Sequence, residues 1–404
     1  MTLLDTARIR LDFPILDKGV IYLDNAASSL TPEQVVQKEV EFYHEYRANV
    51  ERGVHRFSQL ASQEYEHAHK LVADFLNAAS PDCIPMLRNT TEAINFVANS
   101  LDWKRGDNIV TTIVEHHSNF ITWQRACRRH AMQLRIVKSD PRGRFDLADF
   151  EKAIDDKTRV VAVTQASNVL GCVVPVKEIA KIAHEHGAYV LVDGAQSVPH
   201  MKTDVREMDV EFLGFSGHKM LGPTGSGGLY IKPELLYNVE PLSIGGGTIS
   251  EVSTQGYELA QSPMRFEAGT PAIAQVIGLG EAVRYLGRVG MENVEAHERE
   301  LTSRLIAGLS QIEGVTIYGP VDPKDRLGIV SFNIGRMNPH DVALTLDVQY
   351  DIAVRSGHHC ALPLRDELLS LDIGTARASM YVYNTREEID KLVTAVEEIS
   401  SGTK

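Results

Sequence analysis

Four polar clusters each follow an apolar run. Glu115-His116-His117-Ser118-Asn119 comes after NIVTTIV (108–114), and Gln165-Ala166-Ser167-Asn168 after RVVAVT (159–164). Asp193-Gly194-Ala195-Gln196-Ser197 comes after AYVLV (188–192), and Ser216-Gly217-His218-Lys219 closes the run that begins at Phe212. A single polar residue at a strand end is usually a cap or turn residue. Four such ends together predict one rim, because open α/β sheets bind ligands beyond the carboxyl ends of their strands. Lysine condenses with aldehydes once its amine has lost its proton, so the ordinary pKa of about 10.4 must be brought down. The aldehyde of pyridoxal phosphate is the commonest partner, and its pyridinium nitrogen needs a carboxylate such as Asp193. His116 would lie flat on the pyridine ring and Gln196 would donate to the ring oxygen. Ser216, His218 and the helix start at Thr90-Thr91 would hold the phosphate, since a helix N-terminus presents free N–H groups and positive dipole.

The elements that must position these groups follow from periodicity. The near-continuous apolar runs fit strands buried on both faces of a parallel sheet. Between two of them, 175–187 has Pro175 for a first helical turn, an apolar stripe of Val176, Ile179, Ala180 and Ala183, and Gly187 as a stop. Strand, helix, strand at this spacing is a βαβ unit. Further strands are predicted at 212–216 and 228–232, and a helix at 91–101. After about Pro271 the pattern changes to two long amphipathic helices, near 294–311 and 385–400. Strands are expected between them at 316–318, 328–334, 352–355 and 378–383, which suggests a smaller α/β domain.

Composition narrows the partners. The 404 residues include 41 basic and 54 acidic side chains, a formal charge of −13, which argues against binding nucleic acid or an anionic membrane surface. No apolar stretch approaches 18 residues, so no transmembrane helix is expected. The first residues lack a basic region followed by an apolar core, and a cytoplasmic location is the default reading. The four cysteines (Cys83, Cys127, Cys172, Cys360) form no C-x-x-C pair. Adjacent His358 and His359 point apart on an extended segment and have no third ligand at sensible spacing, so no metal site is expected.

The ordered set of motifs resembles the class V aminotransferase group of pyridoxal-phosphate enzymes, and within it the SufS-type cysteine desulfurases, which also show selenocysteine lyase activity. The resemblance rests on Asp193-Gly-Ala-Gln196, Ser216-Gly-His-Lys219, Arg355-Ser-Gly-His-His-Cys360, Tyr22-Leu-Asp-Asn-Ala-Ala-Ser28 and Arg52-Gly-Val-His55. Thr90-Thr-Glu92, Ser167-Asn-Val-Leu-Gly171, Arg265-Phe-Glu-Ala-Gly-Thr270 and Ala376-Arg-Ala-Ser379 extend it over nearly the whole chain. It implies a fold-type-I α/β architecture: an N-terminal segment (1–23) packing on the small domain, a cofactor-binding large domain with a mainly parallel sheet (24–268), and a small C-terminal α/β domain (269–404) carrying Cys360. It implies Lys219 as the cofactor lysine and Asp193 as the pyridinium partner, with His116 stacked on the ring and Gln196 on the ring oxygen. Thr90, Thr91, Ser216 and His218 would hold the phosphate, joined by Thr270 from the other subunit of a homodimer. Asn168, Arg377, Arg355 and His55 would serve the substrate, an arginine suiting a carboxylate by its bidentate fork.

Cys360 discriminates among reactions. Sulfur abstraction needs a nucleophile, and an ordinary thiol of pKa about 8.5 is only a few per cent thiolate at neutral pH. Arg355, His358 and His359 are the expected local sources of thiolate stabilisation. The implied reaction converts L-cysteine to L-alanine, Lys219 removing the Cα proton and Cys360 attacking the substrate sulfur to become a persulfide. The sulfur would pass to an acceptor of SufE or SufU type, or to a scaffold protein, for iron–sulfur cluster assembly. A selenocysteine lyase or a cysteine β-lyase would use nearly the same pocket, and a non-catalytic sulfur-transfer scaffold is the reading from another class. Cys172 stands where such proteins often have threonine, which puts a second thiol near the cavity. Gly245-Gly-Gly-Thr-Ile249 resembles their glycine-rich dimer-contact hairpin.

Overall fold

The computed structural model describes residues 4–402. Seven strands form one sheet in the order Met86–Leu87, Gly227–Ile231, Phe212–Ser216, Tyr189–Asp193, Thr158–Thr164, Asn108–Thr112, Gln133–Val137. The last five are mutually parallel, and the first two are each antiparallel to their neighbours. The central strands are buried along their whole length, which is why their sequences run apolar without alternation. The predicted βαβ unit is present as Thr158–Thr164, the helix Val176–Glu185 and Tyr189–Asp193, with Gly187 at φ +71° releasing the chain from the helix. All four parallel strands with polar sequels end on the same edge of this sheet.

A second sheet, wholly antiparallel, runs Val315–Tyr318, Ile329–Ile334, Thr375–Ser379, Arg355–Gly357. Helices Met291–Leu309, Pro339–Tyr350 and Arg386–Gly402 accompany it, and Leu301, Leu305, Phe332, Leu346, Leu392 and Val396 fill its separate core. The helix Ile273–Val289, placed by the sequence reading in the second domain, packs instead on helices Glu33–Glu45 and Arg56–Phe75 and buries Ile277, Leu279 and Leu286 in the first core. The next helix divides: Val294 still joins the first core, and the second takes it up from Leu301. Ile9, Phe13 and Leu16 of the N-terminal segment also join the first core, while Ile21 and Leu23 join the second; residues 1–3 lie outside the described residues.

Two expected strands differ. The run 352–355 divides: Ile352–Ala353 pairs in parallel with Ile21–Tyr22, and Arg355–Gly357 pairs with Thr375–Ser379. In place of 378–383 the strand is Thr375–Ser379, and Met380 to Tyr383 pack in the cores as a turn. Tyr381 donates to the Pro199 carbonyl at 2.9 Å, and the Tyr383 hydroxyl accepts from Leu30 N–H at 3.0 Å. Their apolar character reflects burial between the two bodies rather than membership of a ladder. Among the described residues, no helix is long and apolar enough to cross a membrane.

Phe332 is fully buried and lies opposite Ala376 in the ladder, one residue from Arg377. Phe332→Ala should cost about 3–5 kcal/mol through lost contact and a residual cavity. A urea titration measures this as a lowered midpoint, and an unchanged midpoint would contradict the packing described.

Candidate active site

A cavity of about 340 Å³ lies at the carboxyl ends of the parallel strands and is closed from the other side by the small sheet. Its walls bring together Thr90, Thr91, His116, Asn168, Asp193, Gln196, Ser216, His218, Lys219, Arg355, Cys360 and Arg377. Twelve of the fourteen residues singled out in the sequence thus meet in one place. Thr270 and His55 do not. Thr270 lines a separate surface hollow with Asn49 to Arg52, Gly246 and Gly247, and exposed His55 caps the helix Arg56–Phe75 by accepting from Ser58 N–H.

Lys219 ends a single 3₁₀ turn, Gly217–Lys219, directly after the strand Phe212–Ser216. Gly217 is required there because a Cβ would stand 2.2 Å from Ser226 Oγ. Burial, followed by the Arg377 charge, pulls the Lys219 amine down to about 8, against the opposing pull of Asp193. The amine is therefore free at a usable fraction near neutrality. Asp193 is itself pushed up by burial, and its Oδ1 accepts from Ala195 N–H at 2.9 Å. His116 is held near 3 by burial and by Lys219; its Nδ1 accepts from Ser118 N–H at 3.1 Å, which leaves a neutral ring with the proton on Nε2. His218 is pulled to about 4, again by burial and by Lys219.

The donor set fits pyridoxal phosphate. The helix Thr90–Ser100 starts at the cavity with Thr90 Oγ1 2.7 Å from Ser216 Oγ and Thr91 Oγ1 2.7 Å from Ser118 Oγ, a hydroxyl cluster at a helix N-terminus suited to an anion. Gln196 Nε2 donates to the Ala26 carbonyl at 2.8 Å, whereas its Oε1 is buried without a protein partner. At the opposite wall, Arg377 is 2% exposed. Its Nη1 donates to the Asn168 carbonyl (2.8 Å) and its Nη2 to Asp24 (3.0 Å), and its buried Nε has no protein partner. Gln196, His359 and Arg377, all on the cavity lining, each keep one buried polar atom without a protein partner, and buried polar atoms are rarely left unpaired, so the lining has polar capacity to spare for a ligand.

Cys360 sits at φ +58° after His359 at φ +50°, two consecutive non-glycine residues in the left-handed region. The turn is held from several directions. Asn168 Nδ2 donates to the His359 carbonyl (2.7 Å), His117 N–H donates to the Cys360 carbonyl (2.7 Å), and His117 Nε2 accepts from Leu362 N–H (3.0 Å). His117 also stacks on His358 at 5.5 Å. The sequence reading gave His117 no role, although its place beside His116 on a strand-end loop was the available signal.

The expected sources of thiolate stabilisation divide. His358 Nδ1 accepts from Cys360 N–H at 3.0 Å and therefore carries no proton on that nitrogen. His359 bonds to Thr375 and is held well below its ordinary value by burial, hence neutral. Arg355 is the permanent cation left on that wall. Cys172 does not offer a second thiol to the cavity. It is 2% exposed, packs under Gly143, and burial drives its thiol up to about 12. Among the described residues, no group of three His, Cys, Asp or Glu is placed to hold a metal.

Glu115 was also passed over. It is fully buried, and accepts from Thr112 Oγ1 (2.5 Å), Thr164 N–H (3.0 Å) and Asn119 Nδ2 (2.7 Å). Burial pushes it up to about 8. It fastens the loop bearing His116 to Thr164, which is in register with Asp193.

The arrangement is that of a pyridoxal-phosphate enzyme of the α/β class, and the chain belongs to the class-V aminotransferase family, whose model matches residues 21–392. It is 47% identical over 394 residues to a probable cysteine desulfurase of Pyrococcus abyssi, covering 97% of this chain and 96% of that one. The apo structure of a cysteine desulfurase from Thermococcus onnurineus superposes with TM-score 0.95 at 46% identity, covering 100% of this chain and 99% of the other. A structure of the cystine C–S lyase C-DES in complex with cysteine persulfide matches at TM-score 0.83 and 25% identity, covering 96% and 99%.

Cys83, Cys127 and Cys172 are buried, whereas Cys360 is part-exposed on the cavity wall. Brief treatment of the native protein with iodoacetamide should alkylate Cys360 well ahead of the other three, which react only on unfolding. Peptide mass analysis reads the order; early modification of Cys127 or Cys172 would contradict it.

Proposed function

We propose that this chain is a pyridoxal-5'-phosphate-dependent cysteine desulfurase that converts L-cysteine to L-alanine and retains the sulfur as a persulfide on Cys360. The observation that carries the reading is that a strained, part-exposed cysteine shares one cavity with a low-pKa lysine and a buried arginine whose Nε is unpartnered. Bound pyridoxal phosphate supplies the electron sink for negative charge at the substrate Cα. Asp193 would keep a proton on the ring nitrogen, His116 would cover one face, and Gln196 would meet the ring oxygen with the amide that otherwise donates to the Ala26 carbonyl. Thr90, Thr91, Ser216 and His218 would hold the phosphate.

Arg377 and Asn168 orient the substrate carboxylate, with Arg355 adding positive charge at the same wall. Lys219 takes the Cα proton. Cys360 Sγ attacks the substrate sulfur, forming the S–S bond as the substrate Cβ–S bond breaks, and protonation of the carbon skeleton yields alanine. Arg355 shares the cavity wall with Cys360, and His117 and Asn168 hold the turn that presents the thiol.

One feature supports delivery to another protein. Cys360, Arg355 and His359 also line a second hollow, of about 380 Å³, with His340, His358 and Arg365. Cys360 is thus a wall shared by an inner and an outer space, where the thiol of a SufE- or SufU-type acceptor, or of a scaffold protein for iron–sulfur assembly, would take up the sulfur. The exposed Val54, Ile244, Val252 and Tyr257 lie on the segments that carry His55 and the Gly245–Gly247 stretch, with Thr270 in the same hollow as Gly246 and Gly247. This supports a homodimer in which Thr270 and His55 serve the partner's cavity. Four free cysteines suit the reducing cytoplasm.

After incubation with L-cysteine under non-reducing conditions, the Cys360 peptide should gain one sulfur in the native protein and none in Cys360→Ala or Lys219→Ala. A yellow protein that consumes cysteine without that gain would be a β-lyase, and a colourless inert one a scaffold. Cofactor loading gives a second readout. The free amine of Lys219 is the nucleophile, so the rate at which cofactor-free protein takes up pyridoxal phosphate should rise with pH up to about 8 and level above it. A rate flat from pH 6 to 8, followed by absorbance, would contradict the lowered lysine.

A further inference from the structure

Two backbone N–H groups of the Cys360 turn end on histidine rings. Cys360 N–H donates to His358 Nδ1 at 3.0 Å, and Leu362 N–H donates to His117 Nε2 at 3.0 Å. His117 grips the turn a second time, its own N–H donating to the Cys360 carbonyl at 2.7 Å. The two rings stack with centroids 5.5 Å apart and planes 28° from parallel. A ring nitrogen accepts only while it carries no proton, so this geometry requires neutral rings, His117 with its hydrogen on Nδ1 and His358 with its hydrogen on Nε2. A proton on either accepting nitrogen sets N–H against N–H. His359 and Cys360 are both at positive φ, so a turn that loses these bonds has easier conformations to relax into.

We infer that His117 and His358 are positioning residues for Cys360: as neutral hydrogen-bond acceptors they hold the thiol on the cavity wall, and protonation of either ring releases the turn, slowing the sulfur step while leaving the proton chemistry of Lys219 intact. The inference rests on the reading of Cys360 as the residue that takes the sulfur. Lys219 is held by a different element, the turn Gly217–Lys219. The groups facing the pair are His116 on the same loop as His117, His359 and Cys360 on the turn, and His340, Arg355, Arg365 and Asp372 around the outer hollow. A Cys360 thiolate and Asp372 favour a proton on the rings, and Arg355 and Arg365 oppose it. Burial, followed by His358, pushes His117 below its ordinary value, so its acceptor form persists through neutrality and is lost on acidification. Gln at 117 brings Oε1 to about the place of Nε2, and Asn at 358 brings Oδ1 to that of Nδ1; each accepts and neither titrates. Asn168 keeps its hold on the His359 carbonyl in every variant, so the turn is loosened rather than unfolded.

The test follows two reactions of the cofactor-loaded enzyme: the rate at which the Cys360 peptide gains sulfur from L-cysteine, and the exchange of the Cα proton of L-alanine with D2O, which needs Lys219 but no thiol. At pH 8, H117A should slow the sulfur gain roughly tenfold, the scale of one lost hydrogen bond, and leave the exchange in place. H117Q should recover most of that loss. Between pH 8 and pH 5 the native rate should fall about threefold or more beyond that of H117Q/H358N, because the titrations of thiol and lysine are common to both and cancel in the ratio. Equal slowing of both reactions in H117A, slowing of neither, no recovery in H117Q, or a ratio flat with pH overturns the inference. A second readout needs no cofactor: deuterium uptake at the Cys360 and Leu362 amides should be faster in H117A than in the native protein, and unchanged uptake overturns the inference as well. The underlying reading fails separately, if native enzyme that exchanges the proton of alanine gains no sulfur at Cys360.

Discussion

The site depends on Asn168 more than on any catalytic group. Its carbonyl accepts from Arg377 on the small sheet and its amide donates to the carbonyl of His359, so one residue of the large domain fixes both the carboxylate end of the cavity and the turn that presents Cys360. Each bond is a modest net contribution in solvent but is made in a buried setting, where an unmade partner costs the full desolvation of a polar group. Gly171, three residues on, lets this loop approach the small sheet; at φ +70° a Cβ would meet the Ile329 carbonyl at 2.8 Å. The two bodies are thus held together beside the cavity.

The electrostatic pattern follows from the same burial. Lys219, His116, His218 and His359 are all shifted toward their neutral forms, burial being the largest cause in each case. Asp193 and Glu115 are shifted in the same sense, toward the neutral acid. A cavity that disfavours charge makes its remaining permanent cations, Arg355 and Arg377, count for more, because field strength rises as solvent screening falls.

The core of the parallel sheet and four helices, at 91–101, 175–187, 294–311 and 385–400, were legible because the signals are local. Apolar runs of strand length, a stripe at helical spacing and a glycine stop identify 158–193 almost to the residue. The polar strand ends were legible for the same reason, since chain direction in a parallel sheet sends them all to one edge. Where local signals had two explanations, the reading slipped. Met380 to Tyr383 read as strand because interdomain burial and ladder burial select the same residues. Residues 269–289 were expected in the second domain, whereas the helix they form packs into the first core, because an apolar sequence states that it is buried and not against what.

The amino-acid sequence by itself determined which residues could do chemistry and the order in which the sheet would present them. Tertiary structure alone decided how they are charged and held. His358 and His359 look from sequence like a positive environment for Cys360, yet one spends its nitrogen on a backbone N–H and the other is neutral against Thr375. Asp24 has nothing in its local sequence to mark it as a support for Arg377, since that partner lies 353 residues away along the chain. Spacing along the chain records local conformation, while proton affinity and orientation depend on burial and on neighbours that only folding brings together.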